Sequence, residues 1–360
     1  MDSRAHATPV GGLGEAGILA RVLPMLDEPE IAGPSRMLLG PGDDAAVLAA
    51  PTGRIVATTD ALVSDQDFVL RATTGDLIGR KAAVQNIADV AAMGARPTAL
   101  LAAISCPSDT PVALIEGIMR GLARRAGRDG ARIVGGDLGT ADELVVAITA
   151  LGELDPGVAP VVRSGAREGD VLAVGSPLVG RSAAGLALIL SCRCRVDEPE
   201  PGEEAPRVQL DGIDADAAAA CVLWHDAPDP DLSLGWGAGR DAHAMLDISD
   251  GLVRDARRMA AASQVLIDLA PAALRPDAEA LAPLASELGA DPWQWVLHGG
   301  EEHAMLAAFA SGEVPAGFRV IGRIRALASH EGLGNAAGET PDVLLGGKQI
   351  SAHGWDHFES

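Results

Sequence analysis

The 360-residue chain has no tyrosine, and its aromatic residues are five Trp and four Phe. With so few rings its core must be aliphatic, and with abundant Ala and Gly its helices are expected to pack closely. Lysine occurs only at Lys81 and Lys348, so arginine carries nearly all the positive charge. The four cysteines form no CxxC pair, and Cys192-Arg193-Cys194 is too tight for a zinc knuckle. They read as free thiols of a reducing compartment. No GxxxxGK[ST] segment is present, which excludes a P-loop, and no GxSxG elbow supports a hydrolase triad. Gly12-Leu-Gly-Glu-Ala-Gly17 fits GxGxxG but follows no strand pattern, so it does not read as a dinucleotide site. The histidines lack HExxH spacing. No apolar run reaches the roughly 18 residues of a membrane helix. No basic stretch leads into an apolar core at the N-terminus, so a cytoplasmic protein is expected.

Positive charge is also short. The net charge is -22, and such a surface repels nucleic acid and anionic membranes. A chain this acidic that handles phosphates needs divalent cations as intermediaries.

The length suggests two domains. The turn Asp155-Pro156-Gly157 marks the boundary, giving 1–154 and 155–360. Residues 54–59 read as a strand ending at Asp60. Residues 76–93 read as a helix closed by Gly94, residues 132–134 as a short strand, and residues 144–151 as another strand. In the second half, residues 171–174 and 244–248 read as strands, and 182–190 and 252–262 as helices. The acidic, Pro-containing stretch 196–216 reads as a mobile insertion. Strands and helices interleave in both halves, so the class is α/β or α+β.

Carboxylates recur where elements end. They are Asp43 and Asp44 in Gly40-Pro-Gly-Asp-Asp44, Asp60, Asp89, Asp137 after Gly135-Gly136, and Asp247 and Asp250 in Asp247-Ile-Ser-Asp-Gly251. Singly, each has a local explanation as a turn or cap residue. As a set they point further. Asp89 and Asn86 share a helical face flanked by Ile87, Val90, Ala91 and Met93, and an unpaired buried aspartate calls for a cation. Oxygen ligands without Cys or His spacing favour Mg2+, held between carboxylates and substrate phosphates.

Read in order, these segments resemble the thiamine-monophosphate kinase family, of the superfamily that also holds aminoimidazole ribonucleotide synthetase. The resemblance rests on residues 42–48, Thr58-Thr-Asp-Ala-Leu62, Lys81 through Gly94, Gly135-Gly-Asp137, Arg163-Ser-Gly-Ala166, residues 182–186, Asp247-Ile-Ser-Asp-Gly-Leu252, Gly299-Gly-Glu301 and Gly354-Trp-Asp-His-Phe358. It implies a two-domain α+β fold of the aminoimidazole ribonucleotide synthetase type. The N-terminal domains would pair in a homodimer, with the active site between domains. It implies Mg2+-assisted, in-line phosphorylation of thiamine monophosphate to thiamine diphosphate by ATP. By motif position Asp43, Thr58, Thr59, Asp60, Asp89, Asp137, Asp247 and Asp250 correspond to a set holding several Mg2+ ions. Gly136, Arg163 and Ser249 correspond to ATP contacts, and Glu301 and Trp355 to the thiamine site.

The acceptor side departs from the family pattern. Asp67 stands where the family has a substrate-linked His, Gly299-Gly-Glu-Glu-His-Ala-Met305 replaces GGEDYEL, and Gly135-Gly-Asp-Leu-Gly139 replaces GGDTT. A family enzyme with another acceptor, and a non-catalytic Mg-ATP-binding homologue, are the alternatives these changes leave open.

Overall fold

The computed structural model describes residues 37–39, 46–50, 53–197, 206–211, 215–327 and 340–350. Residues 15–26, whose apolar residues recur at helical spacing, lie outside them.

Residues up to 153 build a six-stranded sheet. Its strands are β1 (Met37–Leu39), β2 (Ala46–Ala50), β3 (Gly53–Val63), β4 (Arg96–Cys106), β5 (Arg132–Thr140) and β6 (Val145–Glu153), in the order β1-β2-β3-β6-β4-β5. All neighbours are antiparallel except β4 and β5. That parallel pair needs a crossover, supplied by helix α2 (Val112–Arg128). β3 does not end at Asp60. Its pairing with β6 continues to Val63↔Val145, so Asp60 lies inside the strand. Likewise β5 runs on through Gly135, Gly136 and Asp137, against weak intrinsic β-propensity, because its ladder with β4 carries it to Thr140.

Helix α1 (Gly75–Ala92) is the centre of the molecule. Fourteen of its eighteen residues are buried. A helix buried over most of its surface is one with neighbours on most sides. One side meets β3 and β6 and another meets α2. Beyond them Met245, Met305 and Phe309 of the second sheet join the same apolar cluster. The expected close approach of helices is realised against α2, where a Cβ on Gly79 would stand 2.0 Å from the carbonyl oxygen of Ile118. Gly94 follows the helix with φ 72°, the left-handed stop read from the sequence.

The second sheet has seven strands. They comprise β7 (Val171–Val174), β10 (Ala244–Asp247), β11 (Leu266–Leu269), β12 (Met305–Phe309), β13 (Arg319–Arg325), β14 (Asp342–Leu345) and β15 (Lys348–Gln349), ordered β10-β12-β7-β13-β11-β14-β15. Between them lie α3 (Arg181–Leu190), α4 (Ala215–Asp226), α5 (Ser233–Trp236), α6 (Leu252–Ser263), α7 (Pro271–Leu288) and α8 (Pro292–His298). Leu188, Val222, Val253, Leu281 and Val296 of these helices form a second core with Leu172, Leu246 and Ile267 of the sheet. The stretch 196–216, expected to be a mobile insertion, is described only in part. β8 (Cys194–Asp197) and β9 (Arg207–Leu210) pair as an antiparallel hairpin, and Val196 is buried. Alternation of Arg195, Val196, Arg207 and Val208 lets one face of a ribbon pack despite the surrounding charge.

Candidate active site

On β3, side chains alternate between faces. Thr58 and Asp60 look toward α1, where the Thr58 hydroxyl donates to Asp89 Oδ2 at 2.7 Å. The Asp60 backbone N–H donates to Asn86 Oδ1 at 2.9 Å, and Asn86 Nδ2 donates to the Ala82 carbonyl. The shared face of Asn86 and Asp89 is thus the face against β3. The same period of two points Thr59 away from Thr58 and Asp60. It is exposed on the opposite face, and its hydroxyl donates to the Ile148 carbonyl at 2.8 Å, so its side chain does not join the cluster.

The second half brings two loops to the same place. β10 ends at Asp247, and the following turn is held by Asp255 of α6, whose Oδ2 accepts from the N–H groups of Asp250 and Gly251. Gly251 has φ 116°, and a Cβ there would stand 2.7 Å from the His298 carbonyl oxygen. Opposite this turn, Glu301 N–H donates to Ser249 O at 2.7 Å and His303 N–H to Ile248 O at 2.8 Å. Glu301 and His303 both hold positive φ, 57° and 52°, in left-handed backbone unusual for non-glycine residues. His303 Nδ1 lies 2.9 Å from Asp247 Oδ2, and its Nε2 is buried without a partner among the described residues.

Asp60, Asp89, Asp247 and Asp250 therefore converge. Burial, then the Asp247 carboxylate, pushes Asp60 up to about 6. Burial also pushes Asp255 up to about 7, against the pull of Arg258. Arg258 reaches Asp250 Oδ2 at 2.5 Å and Asp255 Oδ1 at 2.8 Å. Among the described residues no arginine or lysine forms an ion pair with Asp60. Nor do three His, Cys, Asp or Glu side chains there draw together into a group able to hold a metal ion. Asp60 and Asp250 line a space, and the four carboxylates do not close a cage.

That space continues into a cavity of about 480 Å3 between α1, α3, α8 and the two loops. Its far wall is apolar, with Phe68, Leu186 and Trp295, and carries the amides of Gln66, Gln85 and Gln294. There Glu301 is already engaged. Its Oε1 lies 2.8 Å from Lys81 Nζ and its Oε2 3.1 Å from His225 Nδ1. Burial pushes the Glu301 carboxyl up, but Lys81 and His225 outweigh it and the net shift is downward. Burial, then Lys81, pushes His225 down to about 3, so it is neutral at pH 7.

Of the other residues read from the sequence, Ser249 lines the cavity. Asp67 lines it too, but its Oδ2 accepts from Val63 N–H at 2.7 Å, closing its own turn. Gly136 and Asp137 lie on edge strand β5, three strands from β3 in the sheet order and apart from the cluster. A Cβ at Gly136 would stand 1.9 Å from the Ala102 carbonyl oxygen, so close strand pairing alone requires this glycine. Arg163 starts a short 3-10 turn beside α6, its carbonyl accepting from Ser263 Oγ at 2.6 Å. Asp43 and Trp355 lie outside the described residues.

Residues 42–154 match the family model for the AIR synthase related protein, N-terminal domain. A thiamine-monophosphate kinase of Mycobacterium tuberculosis is 47% identical over 292 residues, covering 81% of this chain and 80% of the relative. The chain belongs to the thiamine-monophosphate kinase family. A family relative from Corynebacterium glutamicum is 41% identical over 345 residues, 94% of each chain. The solved structure described as AaThiL complexed with AMPPCP and TMP superposes with a TM-score of 0.76 at 28% identity, covering 96% of this chain and 97% of that one.

For this family member the residues that sequence reasoning passed over are those that hold others in place: Lys81, His225, Asp255 and Arg258. Lys81 carried a usable signal, being one of two lysines and preceding the apolar run Ala82-Ala83-Val84. His225 and Arg258 carried none, since their partners are distant in sequence or masked by ordinary helical spacing.

Proposed function

We propose that this protein transfers the terminal phosphoryl group of ATP to thiamine monophosphate, forming thiamine diphosphate. The observation that carries the reading is a single cavity with two unlike ends. At one, Asp60 and Asp250 line the cavity with Asp89 and Asp247 clustered about Asp60, and the other is apolar, amide-lined and charge-balanced. The relatives' shared name and the ATP-analogue and TMP complex of the structural neighbour support the same pairing of ligands.

The donor chemistry fits Mg2+. The raised Asp60 carboxyl is an oxygen ligand that forms no ion pair with arginine or lysine among the described residues, and an open set of carboxylates suits an ion that keeps waters and phosphate oxygens. Asp60, Asp89, Asp247 and Asp250 would hold it, with Asp43 as a further ligand. Bound there, Mg2+ would neutralise phosphate charge. The protein's own work is positioning. His303 orients the Asp247 carboxylate, Asn86 ties β3 to α1, and Asp255 fixes the turn that presents Ser249 and Asp250. The acceptor phosphate oxygen is already anionic at neutral pH, so no side-chain nucleophile is required and transfer is direct. The halves meeting at the cavity are proposed as domains 1–154 and 155–360.

A homodimer through the first sheet is part of the proposal. β5 is an edge strand, and Val134 and Leu138 on it are 62% and 66% exposed, an apolar strip on an otherwise acidic chain. A second copy covering this strip in the cytoplasm would remove both edge and strip from water.

The test is an ADP-release assay with ATP, thiamine monophosphate and Mg2+. Turnover that requires all three is expected. Turnover only with a different phosphorylated acceptor would replace the substrate assignment, and nucleotide binding without turnover on any acceptor would support the non-catalytic alternative.

A further inference from the structure

Lys81 is fully buried in the centre of α1, at 0% exposure. A lysine is seldom enclosed this way unless its charge is matched. Two oxygens meet its Nζ: Glu301 Oε1 at 2.8 Å and the Asp67 backbone carbonyl at 2.7 Å. These partners come from two walls of the cavity. Asp67 belongs to the turn Gln66–Phe68, and Glu301 to the loop that carries His303. Glu301 passes the link on to His225, whose Nδ1 also lies 3.1 Å from Ser182 Oγ at the start of α3. One ammonium group thus joins the 66–68 turn, α1, the 299–303 loop and the end of α4. Lys81 does not itself line the cavity.

Nearby charge does not compete for it. Asp226, beside His225, is buried, and burial pushes its carboxyl up to about 8, leaving it neutral at pH 7. Glu301 is therefore the carboxylate that answers Lys81, and the pair contributes no net charge to the acceptor wall. That balance matters for a substrate carrying a phosphate. An uncompensated Glu301 would repel it or take up a proton and lose its bond to His225.

We infer that Lys81 is a positioning residue for the acceptor, acting through Glu301 and the Asp67 carbonyl to fix the wall that receives it. The inference rests on the acceptor reading given above. It assigns Glu301 a different task from a free anion awaiting a cationic ring. Both its oxygens are committed within the protein, and its contribution to binding is the fixed loop and the oriented His225.

The experiment compares Lys81→Met, Glu301→Gln and the double variant with the wild type. Lys81→Met alone leaves the partly buried Glu301 carboxylate without its ammonium partner and is expected to lower Tm, whereas the double variant replaces the ion pair by neutral groups and recovers most of it. In the double variant the KM for thiamine monophosphate is expected to rise about thirtyfold while the KM for ATP stays within about twofold. Amide hydrogen exchange across residues 64–69 of the ligand-free protein is expected to speed up about tenfold or more. A double variant with wild-type exchange at 64–69, or with wild-type acceptor KM, would make Lys81 an ordinary structural ion pair and overturn the inference. So would equal changes in both KM values. Should the wild type fail to turn over thiamine monophosphate, the substrate assignment fails, and the exchange measurement still decides the role of Lys81.

Discussion

The two ends of the cavity treat buried carboxylates in opposite ways. At one end Asp60 sits among Asp89, Asp247 and Asp250, and burial and Asp247 raise it to about 6. At the other, the partly exposed Glu301 is lowered despite its desolvation, because Lys81 lies 2.8 Å away. The difference teaches which charges the fold balances itself and which it leaves for a ligand. An end left negative suits cations and the phosphates they bring. An end already balanced suits a molecule recognised by shape, stacking and neutral hydrogen bonds.

The comparison can be broken most decisively at Asp60. Asp60→Asn should reduce turnover by about a thousandfold, equivalent to about 4 kcal/mol of transition-state stabilisation, and abolish Mg2+-dependent ATP binding. It should also raise the Tm of the metal-free protein, since it removes a charge the fold does not balance. Calorimetry with and without Mg2+ checks both effects, and unchanged Mg-ATP affinity would dissolve the contrast between the ends.

A smaller effect is expected at Asp67. In Asp67→His the acceptor for Val63 N–H is lost and the turn over the cavity loosens. Affinity for thiamine monophosphate should fall about tenfold, with ATP affinity unchanged, in titrations of each ligand separately. A rise in acceptor affinity would mean the family-type histidine outweighs the turn it disrupts.

The smallest effect concerns Asp226, whose Oδ2 is buried without a hydrogen bond among the described residues. Its carboxyl is raised by burial from 3.8 to about 8. The folded state then holds a proton that the unfolded chain releases, so this group's contribution is full below pH 3.8 and is lost as pH rises toward 8. Asp226→Asn should therefore gain on the wild type with rising pH, by about 2–4 °C in Tm at pH 8 and less at pH 5. A Tm difference independent of pH would show that Asp226 is ionised throughout.

Much of this was open to reading along the chain. Helical spacing put Asn86 and Asp89 on one face, Gly94 marked the helix end, and residues 171–174 are a strand as expected. Strand alternation would also have separated Thr59 from Thr58 and Asp60, since neighbouring residues on a strand face opposite ways. Strand lengths were less legible. β3 and β5 continue past their apolar cores because β6 and β4 pair with them, and pairing is a property of the neighbour.

The sequence by itself determined the kind of chemistry: an acidic chain with aspartates set at strands, turns and one buried helix, and no nucleophile or phosphate loop of its own. Those features follow from residue type and local periodicity. Only the tertiary structure decided which carboxylates are balanced. Lys81 meets Glu301, and Asp247 meets His303, because α1 lies between two sheets and the 299–303 loop crosses the turn after β10. Ion pairing depends on distance in space and on burial, and neither is written in the order of residues.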